Sequence, residues 1–176
     1  MGSCAAPSAK GDDKFITTDY LHQCRFLIAA VELLTEAVNI LVLQVFRKDD
    51  YAVKYAVEPL LDGSGPLGDL SVRLKLIYGL GVISRHEYED AELLMALREE
   101  LNHDGSEYAF TDDEILGPLG ELHCVSALPP APLFDDSDAD LLAMQKQRYQ
   151  QVVRSTMVLS LTELISRISL KKAFQK

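Results

Sequence analysis

A long apolar segment dominates the pattern of hydrophobic and polar positions along this chain. Sixteen of the 21 residues from Phe26 to Phe46 are apolar, while Glu32, Glu36 and Asn39 fall on one side of a helical projection. A helix of this length spans about 31 Å, enough for a small domain or a bilayer. Because the two glutamates offset most of the free energy of membrane insertion, we interpret the segment as a central core helix.

Five further helices are predicted from helical spacing and end signals, at residues 51–61, 68–80, 84–102, 111–116 and 139–170. Ser84 and Glu87 have the spacing of a capping box, and Gly117-Pro118 is expected to end the short helix. No strand pattern of convincing length is present. The sequence therefore predicts an all-α fold, a single-domain multi-helix bundle around a buried central helix. Residues 1–16 are interpreted as a flexible N-terminal tail and residues 17–176 as the domain.

The last predicted helix is unusually long for the size of the chain. From Ala139 to Leu170 it would extend about 48 Å if unbroken. We expect it either to kink near Ser155 and Thr156 or to project and pack on a partner. The second possibility predicts a homo-oligomer, most simply a dimer.

Charge is distributed unevenly along the chain, whose formal net charge is −10. Residues 1–145 carry 10 basic and 26 acidic side chains, a net of −16, and residues 146–176 carry 7 basic and 1 acidic, a net of +6. Such asymmetry indicates either a basic recognition element or a basic helix that lies against an acidic body or partner. We favour the second interpretation.

Few residues have the spacing of a chemical site. The sequence lacks a G-x-S-x-G motif, a P-loop and a glycine-rich dinucleotide turn. The four histidines, His22, His86, His103 and His123, are isolated from one another, which argues against a metal site. Three cysteines without paired spacing are typical of a reduced, cytoplasmic protein. We therefore expect no enzyme, metal or cofactor, and a cytoplasmic location.

Two segments are candidate DNA-binding elements. Residues 70–80, a short turn and residues 84–102 have the outline of a helix-turn-helix. The second helix, however, has a net charge of −4 over 84–103, which opposes phosphate contact. The basic C-terminal helix is the better candidate, through Arg154, Arg167, Lys171 and Lys172.

Residues 32–63, 65–81, 87–104, 110–118 and 154–176 together resemble the mannitol operon repressor family of bacteria, also called MtlR. The resemblance covers about residues 25–176. It implies an all-helical cytoplasmic regulator that lowers expression of a mannitol uptake and utilisation operon. It also implies the lack of a standard DNA-binding motif.

Our leading hypothesis is a repressor that acts through protein–protein interaction, with another transcription factor or a phosphotransferase component as partner. The candidate partner-binding surface is acidic and consists of Glu87, Glu89, Asp90, Glu92, Asp112 and Asp113. The alternative is a repressor that binds DNA directly through the basic C-terminal helix. A third possibility is a sensor that binds mannitol or its phosphate between helices, but no convergent set of polar residues identifies a pocket. A membrane partner is not expected.

Overall fold

The computed structural model describes residues 13–103, 113–130 and 139–172. Over these residues the regular structure is helical, without a strand, which confirms the predicted all-α class. The elements are α1 Asp13–Val45, α2 Asp50–Ala52, a π-helical turn Val53–Val57, α3 Glu58–Leu61, α4 Leu70–Gly79, α5 Arg85–His103, α6 Asp113–Gly120 and α7 Ala139–Ser169.

Helix α1 lies at the centre of the fold and packs against α4, α5 and α7. Its buried side chains recur every three or four residues, as in Leu27, Leu34 and Leu41, each at most 1% exposed. Each such side chain contributes roughly 1.5–3 kcal/mol of hydrophobic stabilisation. The segment Phe26–Val45 is long and apolar enough to cross a membrane, but its packing confirms the predicted core helix. Glu32 and Glu36 lie on its exposed side.

Helix α7 is continuous over 31 residues, about 46 Å. The helix is not interrupted near Ser155 and Thr156, where a kink was one of the two predicted alternatives, and both hydroxyls donate to carbonyls four residues earlier. One face of α7 is fully buried along its C-terminal half, from Val153 to Ile168. Because α1 is itself 33 residues long, two helices of similar length pack on each other. The length of α7 alone therefore does not require a partner.

Two predicted boundaries differ from the structure. Helix α1 begins at Asp13, so residues 13–16 do not belong to a flexible tail; extending a helix costs far less than nucleating one. Residues 1–12 lie outside the described residues. Helix α6 continues through Gly117-Pro118 to Gly120. Proline removes one backbone donor there, and the complete burial of Leu119 compensates for that loss.

The loop between α3 and α4 is fixed by Arg73. Its guanidinium donates to the carbonyls of Leu67 and Leu61 at 2.5 and 2.7 Å and to the Asn39 side chain at 2.6 Å. The loop backbone also approaches closely at Gly68, where an added Cβ would lie 2.5 Å from the Asp62 carbonyl oxygen. The loop is thereby tied to α1, which fixes the start of α4.

Candidate functional site

The first turn of α5 begins with the predicted capping box. The Ser84 backbone N–H donates to the Glu87 carboxylate at 2.8 Å, and the Glu87 N–H donates to the Ser84 hydroxyl at 3.3 Å. This reciprocal pair satisfies two donors that the start of a helix otherwise leaves unpaired. It also turns the Glu87 side chain inward, where it is only 3% exposed.

Glu87 is neutralised by the end of α7. The Lys171 ammonium lies 2.5 Å from one carboxylate oxygen, and the Arg167 guanidinium lies 3.6 Å from the other. Burial raises the pKa of Glu87, but hydrogen bonds from Lys171 and Ser84 together lower it by more than burial raises it. The pKa of Glu87 therefore lies below its ordinary value. This pairing supports the interpretation that the basic helix lies against an acidic body.

Asp90, one turn further along α5, holds the segment that follows α6. Its carboxylate accepts from the backbone N–H groups of His123 at 2.7 Å and Cys124 at 2.9 Å, and it lies 2.9 Å from His123 Nδ1. Because Asp90 is buried, these donors offset the cost of burying its charge. The contact assigns the ring proton of neutral His123 to Nδ1.

Two histidines that are distant in sequence stack at this point. The rings of His86 and His123 lie 4.2 Å apart at an angle of 6°. The expectation that the histidines are isolated is therefore wrong for this pair, because Asp90 draws residue 123 onto α5. Among the described residues, no group of three or more His, Cys, Asp and Glu side chains is arranged to hold a metal ion.

Cys124 is held as a neutral thiol. Burial, followed by the negative charge and hydrogen bond of Asp90, raises the pKa of Cys124 to about 12. Since the thiolate is the nucleophilic form of cysteine, we expect Cys124 to react slowly at neutral pH. We call Ser84, Glu87, Asp90, His123, Cys124, Arg167 and Lys171 the α5 cap cluster.

The predicted partner-binding residues lie in different environments. Glu87 and Asp90 are buried in the α5 cap cluster. Glu89 is partly exposed and pairs with exposed Arg85 at 2.6 Å, whereas Glu92 accepts from the Tyr88 hydroxyl. Asp113 is the first residue of α6, and Asp112 lies outside the described residues. The accessible part of the predicted surface, among the side chains described, is therefore Glu89 and Glu92.

The predicted nucleic-acid residues are divided in the same way. Arg167 and Lys171 pair with Glu87, while Arg154 and Lys172 are exposed on α7 and just after it. The helix-turn-helix outline is present as α4, a turn and α5. However, its second helix buries two carboxylates in its first turns, where a recognition helix would contact bases.

A cleft of about 530 Å³ lies between the start of α4 and the second half of α5, with Val31 of α1 in its wall. Its polar lining consists of Asp69, Ser71, Glu92, Arg98 and Glu99. We call this the α4–α5 cleft. Only the charges of its lining residues are visible in the sequence, because Asp69 and Arg98 are brought together by the packing of α4 on α5.

Similarity to known proteins extends over most of the chain. The family model described as mannitol repressor, MtlR, matches residues 18–169. The mannitol operon repressor of Escherichia coli strain K12 is 87% identical over 151 residues, which cover 86% of this chain and 77% of that protein. Fumarase E of the same strain is 29% identical over 125 residues, 69% of this chain and 73% of that protein.

Two solved structures share the fold. One is the X-ray structure of the MtlR–HPr complex from Escherichia coli, with a TM-score of 0.79 and 86% identity, covering 84% of this chain and 90% of that one. The other is a possible transcriptional regulator, YggD, from Shigella flexneri 2a. It has a TM-score of 0.67 and 25% identity, covering 86% of this chain and 97% of that one.

Proposed function

We propose that this chain, which belongs to the mannitol repressor family, represses a mannitol uptake and utilisation operon through protein–protein interaction. The match over residues 18–169 confirms the family that the sequence resembles. HPr is the proposed partner, since a relative 86% identical to this chain was solved in complex with it. This partner agrees with the predicted phosphotransferase component.

The observation that carries the choice of protein over DNA is the pairing of Glu87 with the end of α7. Two of the four candidate phosphate-binding cations, Arg167 and Lys171, already lie within 3.6 and 2.5 Å of that buried carboxylate. DNA affinity comes largely from neutralising phosphates with free cations. A phosphate at this end of α7 would have to compete with an internal ion pair in a chain of net charge −10.

We place the partner contact at the exposed rim of the α5 cap cluster. Glu89 is 36% exposed there, beside Arg85 and His123, which are 75% and 41% exposed. A rim of both charge signs around a fixed first helical turn suits recognition of a folded protein. Glu92, on the next turn, extends the same acidic side. Of the predicted acidic surface, Glu87 and Asp90 would then support the contact without touching the partner.

The first experiment measures two affinities of the purified full-length chain. Calorimetry with Escherichia coli HPr is expected to show saturable binding. Fluorescence anisotropy with a labelled mannitol-operon control region is expected to show only non-selective binding at low salt, which is lost near physiological salt. Sequence-specific DNA binding at physiological salt would instead establish the DNA-binding alternative, with Arg154 and Lys172 as the first residues to replace.

A matched pair of variants tests the assigned surface. Glu89→Lys reverses a charge at the rim, and Glu58→Lys makes the same change at an exposed position on α3. We expect the first variant to weaken HPr binding and the second to leave it unchanged. Equal affinities for the two variants, with both proteins folded, would show that the contact lies elsewhere.

A homodimer is part of the same proposal. Leu33, Ile40 and Leu43 lie along one side of α1 and are 54%, 49% and 48% exposed. They share the exposed side of α1 with Glu32 and Glu36, and large exposed apolar side chains on such a face suit an isologous contact with a second copy. Light scattering is expected to give twice the monomer mass, and Ile40→Glu is expected to halve it. A monomer at all concentrations would contradict the dimer.

We also propose that the chain is cytoplasmic and that it is not an enzyme. The second point has a direct test, because fumarase E is among the relatives. Purified protein is expected to produce no malate from fumarate above a buffer control. Turnover that scales with protein concentration would overturn this part of the proposal.

A further inference from the structure

The α4–α5 cleft has the character of a small-molecule site. Its volume of about 530 Å³ falls within the range of roughly 300–1,000 Å³ that such sites occupy. Leu70 and Met95 form part of its apolar wall, and both belong to the partly buried side chains packed against the core. The cleft is therefore a concavity between fixed helices rather than a gap between surface side chains.

The polar groups of the cleft carry both acceptors and donors. Asp69 caps α4 by accepting from the Ser71 N–H at 3.0 Å with Oδ1, and Glu92 accepts from the Tyr88 hydroxyl with Oε1. Each carboxylate has a second oxygen with further acceptor capacity. Arg98 supplies donors, and its buried Nε has no hydrogen-bond partner within the described part of the chain.

We propose that the α4–α5 cleft binds a small uncharged polyol. A hydroxyl both donates and accepts, so vicinal hydroxyls match a lining that contains both carboxylates and a guanidinium. The unpaired Nε of Arg98 is a buried donor whose desolvation is not offset in the free protein. A hydroxyl oxygen that draws this side chain toward the cleft would remove that penalty.

The net negative charge of the cleft lining favours a neutral polyol over its phosphate ester. Asp69, Glu92 and Glu99 give the cleft three negative charges against the single positive charge of Arg98. A phosphate ester would place a further dianion beside these carboxylates and is disfavoured. A free hexitol has no such conflict. The choice of mannitol as the probe rests on the proposed function, whereas the assignment of the cleft to a polyol rests on its lining.

Titration calorimetry of the full-length protein with D-mannitol, and separately with mannitol 1-phosphate, tests the site. Saturable binding is expected for mannitol and at least tenfold weaker binding for the phosphate, a difference of about 1.4 kcal/mol or more. The absence of saturable mannitol binding would overturn the proposal. Equal or tighter binding of the phosphate would also overturn it, because the carboxylates could not then be the ligand's acceptors.

Three variants locate the site. Glu92→Gln is expected to weaken mannitol binding by about tenfold, the size of one charge-assisted hydrogen bond. Asp69→Asn is expected to act in the same direction while preserving the helix cap, since asparagine caps as well as aspartate. Tyr88→Phe serves as the matched control. It removes the hydrogen bond that the Tyr88 hydroxyl donates to Glu92 and leaves the Glu92 carboxylate of the cleft in place. Binding that is unchanged in both cleft variants would place the ligand elsewhere and overturn the assignment.

HPr binding in the absence of mannitol separates this inference from the proposed function. If HPr binds and mannitol does not, the cleft assignment fails and the proposed function stands. If mannitol binds and HPr does not, the partner of the proposed function fails and the cleft assignment stands.

Discussion

The start of α5, residues 85–90, and the remainder of the helix, from Glu92 onward, use the same residue types in opposite ways. At the start, Glu87 and Asp90 are buried, and each accepts hydrogen bonds from the chain around it. Further along, Glu92 and Arg98 line an open cleft, and one buried guanidinium nitrogen has no partner over the described residues. Buried charges persist only when they are paired. The start of α5 therefore holds the fold together, while the remainder retains polar groups that a ligand can engage.

The largest change in the free energy of unfolding is expected from removing the Asp90 carboxylate. Asp90→Ala leaves two backbone N–H groups and one ring nitrogen without their acceptor. The expected loss in the free energy of unfolding is about 3 kcal/mol or more, which lowers Tm by about 10 °C for a chain of this size. Thermal unfolding followed by circular dichroism measures it.

Glu92→Gln is the comparison variant from the remainder of α5. Because its side chain borders the cleft, we expect it to change the free energy of unfolding by less than about 1 kcal/mol. Equal destabilisation by the two variants would contradict the division between a structural start of α5 and an open remainder.

The next effect concerns the reactivity of Cys124. With its pKa raised to about 12, alkylation at mildly alkaline pH is expected to be at least about a hundredfold slower in the folded protein than in urea. Asp90→Asn removes a negative charge beside the thiol and is expected to speed the reaction. Mass spectrometry of the Cys124 peptide after timed alkylation gives both rates. Equal rates in folded and unfolded protein would show that the thiol is not held as described.

A smaller effect is expected for the ion pair that joins α5 to α7. A double-mutant cycle with Glu87→Gln and Lys171→Met is expected to give a coupling free energy of about 1–2 kcal/mol. Urea unfolding of the four proteins provides the values. The same cycle with Arg154→Met in place of Lys171→Met is the control, and an equal coupling there would contradict a specific pair.

The same carboxylate predicts a pH dependence. The pKa of Glu87 is lower in the folded chain than its ordinary value of 4.5, so the folded state favours the charged form. Its contribution is present above that ordinary value and is lost as the pH falls through the lower folded pKa. Glu87→Gln is therefore expected to lose less stability than the parent chain when acidified over this range.

The smallest effect on stability is expected at the rim. Glu89 and Arg85 form a solvent-exposed pair four residues apart, and such pairs contribute little because water and salt screen them. Glu89→Gln should leave Tm unchanged while it alters HPr binding. A large drop in Tm would show that Glu89 is structural rather than available to a partner.

Local patterns in the sequence were sufficient for much of the fold. The apolar spacing around Leu34 and Leu41 identified the core helix, and Ser84 with Glu87 identified the start of α5, because both depend on residues three or four apart. The end of α6 was misplaced for a related reason. Gly117-Pro118 is a strong local stop, but burial of Leu119 outweighs it.

The candidate site was only partly predictable. The sequence indicated that α5 is acidic and the end of α7 basic, and it offered these as two rival interaction surfaces. The structure joins them, since Glu87 and Lys171 are 84 residues apart and bonded at 2.5 Å. It likewise brings His123 to Asp90 and Asp69 to Arg98. No periodicity links these positions.

The sequence by itself determined the helical class, the core helix, the cap of α5, the charge asymmetry and the family. The first four follow from composition or from residues a few positions apart, and the family follows from the resemblance of five segments to known members. Only the tertiary structure decided which charged side chains are buried and paired within the fold and which remain accessible. That outcome depends on burial, and burial is set by how α1, α4, α5 and α7 pack over the whole chain.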